Sequence, residues 1–155
     1  NKFEHELAKQ QISQLYYSGQ TDAGDELALS AQAAAESLEG QDKLEMKSVS
    51  ATVKTKYGLE INATAQFGEY LYSEKLLKMS GSVLISSSTG YQLSTPALLV
   101  STDGTYIRGV GPVEGFSPMG KIQAGKIEIK RENANAPMQL WFSEKVMIDY
   151  EPKEI

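Results

Sequence analysis

Apolar and polar residues alternate along most of this chain, a period of two that is typical of β-strands with one buried face. The apolar positions keep one phase within each run: Leu59, Ile61 and Ala63; Leu77, Met79, Val83 and Ile85; Tyr91 and Leu93; Leu140, Phe142, Val146 and Ile148. The opposite phase carries Lys78, Ser82, Gln92, Ser94 and Lys145. The pattern predicts strands that share one apolar face.

Short segments rich in Gly, Asp, Asn and Pro separate these runs. They read TDAGD, LEGQD, KYG, STG, TDG and NANAP in chain order. These residue types form turns because they tolerate unusual backbone angles or bond to their own backbone. Turns at such short intervals predict an all-β fold.

Segments led by glycine recur about every thirty residues, at Gly58, Gly90 and Gly120, with a looser copy at Asp25. Each is followed by a second run, and these second runs align on a valine: Val49, Val83, Val113 and Val146. Each unit is therefore a pair of long strands. If the units fold so that their apolar faces meet, they form a sandwich or an open antiparallel jelly roll with an apolar interior.

The first residues give an ambiguous signal. Phe3, Leu7, Gln11 and Leu15 would share one side of a short helix, whereas Ile12 to Ser18 alternates as a strand does. We therefore divide the chain into an N-terminal segment, residues 1–14, and one β-domain, residues 15–155. Because the sequence starts at Asn1, we expect an upstream membrane anchor or signal.

The glycine-rich segment RGVGPVEGFSPMG, Arg108 to Gly120, resembles a phosphate-binding loop at first sight. Such a loop needs G-x-G-x-x-G between a strand and a helix, but Gly109, Gly111 and Gly115 leave one residue too many. The sequence that follows, GKIQAGKIEIK, favours a strand. We interpret the segment as the corner of a sheet, where a long strand bends.

Composition excludes several classes of function. The 155 residues suit one domain, and the net charge of -5 with only two arginines argues against a nucleic-acid partner. There is no cysteine, so disulfides and thiol chemistry are absent. No apolar run reaches the length of a membrane span.

Candidate chemistry is sparse, and we predict no enzyme, no cofactor and no metal site. His5 is the sole histidine, and Lys9 stands where HELA would need a second zinc ligand. Asp22 with Asp25, and Glu132 near Asn133 and Asn135, could in principle hold calcium. We assign these carboxylates to turns, where Asp and Asn bond to the local backbone.

Several segments together resemble one family of envelope proteins. They are DELALSAQAAAES, GLEINATAQFGEYLYSEKLLKMSGSVLI, GYQLSTPALLV and RGVGPVEGFSPMGKIQAG, preceded by LYYSGQTDAGDELALSA. Their order, and the phrase GPVEG, resemble the LptC type of lipopolysaccharide-transport protein in its alphaproteobacterial form, within the OstA-like family that includes LptA. The resemblance spans about Leu15 to Tyr150.

The resemblance implies a twisted open antiparallel β-jelly roll in the periplasm, tethered to the inner membrane by an N-terminal helix. It implies that lipopolysaccharide is received from an inner-membrane ABC transporter, LptF/LptG, at the N-terminal edge and passed to LptA at the C-terminal edge. An LptA-like soluble bridge subunit and a β-structured interaction module without a transport role remain alternatives.

Strand phase defines the residues that we expect to face acyl chains in the interior. They are Ile61, Met79, Val83, Ile85, Leu93, Ile107, Val113, Ile122, Ile129, Leu140, Phe142, Val146 and Ile148. A cavity lined by Leu93, Ile107 and Phe142 would favour a lipid carrier over a filled structural module. Trp141 is out of phase with its neighbours, and we assign it, with Met147 and Tyr150, to a partner-binding edge.

Overall fold

The computed structural model describes residues 12–37, 42–133 and 135–150, and within these ranges its regular structure consists of strands. The strands are β1 Ile12–Gln20, β2 Glu26–Glu36, β3 Lys43–Lys54, β4 Glu60–Leu71, β5 Leu76–Ser87, β6 Gln92–Ser101, β7 Tyr106–Val110, β8 Val113–Ser117, β9 Gly120–Ala124, β10 Lys126–Lys130, β11 Gln139–Ser143 and β12 Met147–Tyr150. They form one twelve-stranded antiparallel sheet. The predicted all-β class is confirmed.

The sheet is a meander of long strands, each paired with the next along the chain. From β1 to β6 every strand pairs with its successor. Beyond β6 each long strand consists of two pieces, so that β6 pairs with β8 along its first half and with β7 along its second half. The pieces β9 and β12 continue the sheet from β8, and β10 and β11 continue it from β7.

A crease crosses the middle of these strands. The register shifts between Thr64 and Phe67 in β4 and between Ser80 and Val83 in β5, where Gly81 has a φ of 81°. Gly111, with a φ of 91°, separates β7 from β8. A β-bulge bends a strand and increases its twist. The glycine-rich segment is thus a corner between two strands, as the sequence predicted.

The crease folds the sheet so that its apolar face closes on itself. Buried side chains from β2 to β10 form one core cluster. Turns from opposite ends of the long strands meet: the hydroxyl of Tyr57, between β3 and β4, donates to the carbonyl oxygen of Asn135, between β10 and β11. The sheet nevertheless stays open, because among the described strands β1 pairs only with β2, β11 only with β10 and β12 only with β9. This is a jelly-roll-like fold with two free edges.

The N-terminal prediction can be placed in part. Strand β1 begins at Ile12, which is three residues before the predicted start of the β-domain at Leu15. The possible helix through Phe3 and Leu7, and the sole histidine, His5, lie outside the described residues.

One glycine of the GPVEG phrase allows the second half of the sheet to pair. Gly115 lies opposite Leu93, and a Cβ at Gly115 would lie 2.8 Å from the Cα of Leu93 and closer still to the carbonyl of Gln92. We expect Gly115→Ala to lower the free energy of unfolding by about 3 kcal/mol, since backbone must move to relieve the overlap. Urea denaturation followed by circular dichroism measures this loss.

Gly58 provides the matched control, because it lies in the KYG turn with a φ of 89° but has open space around it. A Cβ added at Gly58 would have no heavy atom within 4 Å beyond its own chain neighbours. Gly58→Ala should therefore cost only about 1 kcal/mol, through backbone strain. Equal losses for the two variants would contradict the assignment of close packing at Gly115.

Candidate functional site

Most of the residues that were predicted to face the interior are buried. Nine of the thirteen predicted positions belong to the buried core: Ile61, Met79, Val83, Ile85, Leu93, Ile107, Val113, Ile122 and Ile129. Residues directly opposite in paired strands point to the same face, so these positions form rows across the sheet. For example, Ile85 pairs with Leu93, which pairs with Gly115, which pairs with Ile122. Strand phase therefore identified these nine residues as buried, while their contact with lipid stays a prediction.

The interior is filled by its own side chains. Met79, Val83 and Ile127 have 0% exposure, and Leu77, Leu98 and Ile129 are almost as deeply buried. Leu93 and Ile107 are also buried, and none of three surface grooves on the described part of the chain is lined by Leu93, Ile107 and Phe142 together. Any apolar ligand of the interior must therefore displace side chains or part the two halves of the sheet.

The margin of the interior is less tightly closed. Leu140 and Phe142 on β11 are partly buried and pack against the core. The ring of Phe142 stacks on that of Tyr91, with centroids 5.7 Å apart. Tyr91 immediately precedes β6, so this pair connects the beginning of one long strand to the middle of another across the interior. Such a contact can separate without breaking backbone pairing.

The predicted burial of Val146 and Ile148 is wrong, because each is 44% exposed. Val146 lies in the bend between β11 and β12. Ile148 lies in β12, which pairs with one strand only, β9, within the part of the chain that the structure describes. Ile148 pairs with Ile122 and shares its inner face. The phase of Ile148 was therefore right, but an edge strand leaves the inner face uncovered.

The three predicted edge residues are all exposed on the last two strands. Trp141 lies on β11, and Met147 and Tyr150 lie on β12. Met147 pairs with Gln123 and faces outward, whereas Tyr150 pairs with Gly120, two residues from Ile122, and faces inward. The last long strand thus carries apolar groups on both faces. Its contact with a partner stays a prediction.

The first strand has a similar arrangement at the opposite edge of the sheet. Tyr17 pairs with Leu29, whose side chain belongs to the core, so Tyr17 continues the inner face. The neighbouring Tyr16 points outward, and both tyrosines are exposed. No signal in the sequence distinguished these two aromatics, because the start of the chain fitted a helix and a strand equally.

A group of charges covers the outer face near the C-terminal edge. Lys126 Nζ lies 3.0 Å from Glu128 Oε1, and Lys130 and Arg108 approach Oε2 at 3.7 and 3.9 Å. The hydrogen bond from Lys126 lowers the pKa of Glu128, assisted by the charges of Lys126, Lys130 and Arg108. Arg108 and Lys126 are thereby paired with a carboxylate, which weakens their attraction for an anionic ligand.

A buried ion pair joins two distant parts of the chain. Asp25, which follows the β1–β2 turn, pairs with Arg131, which follows β10, and their side chains are 0% and 4% exposed. The sequence pattern assigned Asp25 to turn chemistry. The structure corrects that assignment. The backbone of Asp25 closes the turn by hydrogen bonds with Thr21, but the Asp25 carboxylate accepts a hydrogen bond from Arg131, outside the turn.

The outer face also holds a groove of about 900 Å³ that the sequence pattern did not indicate. One row of paired residues crosses it: Ala33, Lys47, Phe67, Ser80, Ala97 and Val110. Phe67 and Val110 are exposed there. The row was not evident from the sequence because its members come from six strands.

The described ranges contain no group of three or more side chains that could hold a metal ion. They also contain no helix long and apolar enough to cross a membrane.

These features define a class: open antiparallel jelly rolls with an apolar interior that reaches two unpaired edges. The sequence matches the family described as "Lipopolysaccharide-assembly, LptC-related" over residues 19–139, which includes most of the sheet. The chain belongs to this family. No curated protein matches the sequence at a significant level.

Membership assigns the chain a role in lipopolysaccharide transport. The family consists of periplasmic bridge proteins linked to the inner membrane and is not a known enzyme family. The resemblance stated from the sequence is thereby confirmed at the level of the family.

Loss of one member of the buried ion pair should be costly. We expect Asp25→Leu and Arg131→Met each to lower the free energy of unfolding by about 3–5 kcal/mol, because each leaves one buried charge without its partner. The double variant should recover most of this loss, since it removes both charges. Urea unfolding of the four proteins gives the coupling energy, and strictly additive losses would contradict a direct interaction.

Proposed function

We propose that this chain binds the acyl chains of lipopolysaccharide between the inner faces of its folded sheet and reaches them through the open edges. The observation that carries the proposal is the continuity of the inner face. It runs from buried Ile122 to exposed Ile148 at one edge, and from buried Leu29 to exposed Tyr17 at the other. An acyl chain that contacts an edge thus meets an apolar path inward.

The energetics suit a carrier that must release its cargo. Sheltering about ten methylenes at roughly 0.8 kcal/mol each gains about 8 kcal/mol, which corresponds to about micromolar dissociation before costs. The filled core adds a cost, because side chains such as Phe142 and Tyr91 must first move apart. Binding that is moderate and reversible is expected from this balance.

The two free edges also suit assembly into a chain of jelly rolls. An edge strand has unpaired backbone donors and acceptors, to which another sheet can add. We assign the C-terminal edge, β11 and β12, to LptA, and the N-terminal edge, β1, to the LptF/LptG transporter. The chain would act in the periplasm, held at the inner membrane by an anchor that precedes β1.

A β-structured interaction module is the second candidate, and the filled core favours it. Such a module would use the same edges for assembly but would bind no acyl chain. An LptA-like bridge subunit would bind lipid but would have no transporter at its N-terminal edge. Lipid binding and edge contacts, measured separately, distinguish the three.

Adjacent residues of β12 test whether lipid uses the inner face. Ile148→Glu places a charge on the inner face of the edge, and we expect it to weaken lipopolysaccharide binding at least about tenfold, because a carboxylate in the apolar path must be desolvated. The Ile148 side chain is exposed, so the variant should fold. Binding is measured by fluorescence anisotropy with labelled lipopolysaccharide.

Met147→Glu is the matched control, because Met147 neighbours Ile148 and is also exposed but faces outward. It should bind lipopolysaccharide as the wild type does. The proposed path would be wrong if Ile148→Glu bound normally, or if both variants lost binding equally while remaining folded by circular dichroism.

Photo-crosslinking from the two edges tests the assignment of partners. We expect a photoreactive phenylalanine at Trp141, on β11, to capture LptA, and one at Tyr16, on β1, to capture LptF or LptG. Both native side chains are exposed aromatics, so the replacements should disturb packing little. The products are identified by mass spectrometry after crosslinking in cells. Capture of LptA from Tyr16 alone would reverse the assignment.

A further inference from the structure

The β1–β2 turn contacts residues that follow β6 and β10, at the opposite end of the long strands. Asp25 pairs with Arg131, and Thr21 and Ala23 of the same turn pack against Gly104 in the β6–β7 turn. A Cβ placed at Gly104 would lie 3.0 Å from the Cβ atoms of both Thr21 and Ala23. We call this contact set, residues 21–25 with Gly104 and Arg131, the clasp. It joins the two halves of the folded sheet beside the N-terminal edge.

The clasp is held by an ion pair that is incompletely bonded. Asp25 Oδ1 and Arg131 Nε and Nη1 are buried and have no hydrogen-bond partner among the protein groups of residues 12–37, 42–133 and 135–150. Buried polar atoms without partners are costly, and a pair that contains them adds little net stability. By contrast, the core residues beneath are apolar and closely packed. Opening the clasp would therefore expose two buried charged side chains, Asp25 and Arg131, to water.

Something must open for an acyl chain to enter, because the core residues fill the interior. The strand that carries the clasp is suited to movement. Strand β1 has mostly exposed side chains, and β2 is its only partner among the described strands. Its turn contacts the opposite half of the sheet through the clasp, whereas β4 and β5 lie between paired strands on both sides.

We propose that the clasp is the closure that must open for lipid to enter the interior, with Asp25 and Arg131 as the residues that position it. This inference rests on the proposed lipid-binding function, and it adds that the β1–β2 turn is the segment that moves. The ligand meets the interior only after the β1–β2 turn separates from Gly104 and Arg131. Closure then holds the acyl chain in place.

A reversible lock tests the proposal, because the chain has no cysteine of its own. Thr21→Cys with Gly104→Cys brings two thiols together at a Cβ separation of 3.0 Å, so a shift of about half an ångström gives ordinary disulfide spacing. We expect the oxidised protein to take up labelled lipopolysaccharide at least about tenfold more slowly than the same protein after reduction, as for a closed gate. Stopped-flow fluorescence measures the rate.

The control disulfide is Thr64→Cys with Leu84→Cys, which are paired, exposed positions on the outer face of β4 and β5. Its oxidation should leave uptake unchanged. A second lock avoids the crowded contact at Gly104. It combines Tyr57→Cys with Asn135→Cys, two exposed positions in contact, and a short bismaleimide bridges the two thiols. It should also slow uptake, since it fastens the same two halves.

The outcomes separate the two claims. If the reduced variants and the wild type bind no lipopolysaccharide, the proposed function fails. If they bind, and both locked proteins take up lipid at the rate of their reduced or unbridged forms, the clasp proposal is overturned. A third variant, Asp25→Asn, should accelerate uptake, because it removes the ionic contact while keeping the shape of the side chain.

Discussion

The fold depends on the crease that crosses the middle of the long strands. A flat twelve-stranded sheet would leave its apolar face in water, where Met79, Val83 and Ile127 could not be buried as they are. The register shift at Gly81 and the break at Gly111 between β7 and β8 bend the strands so that this face closes on itself. The close approach of Gly115 to the backbone at Leu93 then allows β8 to pair with β6 beyond the bend.

The same crease explains why the sheet is open at its edges and does not form a closed barrel. Folding brings the apolar faces together but leaves β1 and the last long strand, β11 with β12, without a second neighbour among the described residues. The inner face therefore ends in exposed residues, Tyr17 and Ile148, instead of at a sealed seam. In the proposed function, this continuous apolar surface is the path by which acyl chains would enter and leave the interior.

Sequence periodicity predicted the class of fold and most of the interior because burial follows strand phase, and phase is local. It placed Val83, Ile85 and Leu93 correctly and recognised the corner at Gly111. It failed for Val146 and Ile148, because phase does not indicate whether a strand lies at an edge. It also missed the Asp25–Arg131 pair, since two residues separated by more than one hundred positions meet only after the sheet has folded.

Methyl NMR of the chain with bound lipopolysaccharide tests the central claim most directly, namely that acyl chains lie between the inner faces. We expect intermolecular nuclear Overhauser effects from acyl methylenes to the methyl groups of Ile85 and Ile122, which face inward. Leu84 and Leu99 face outward and should show none. Contacts to Leu84 and Leu99 without contacts to Ile85 and Ile122 would contradict the claim.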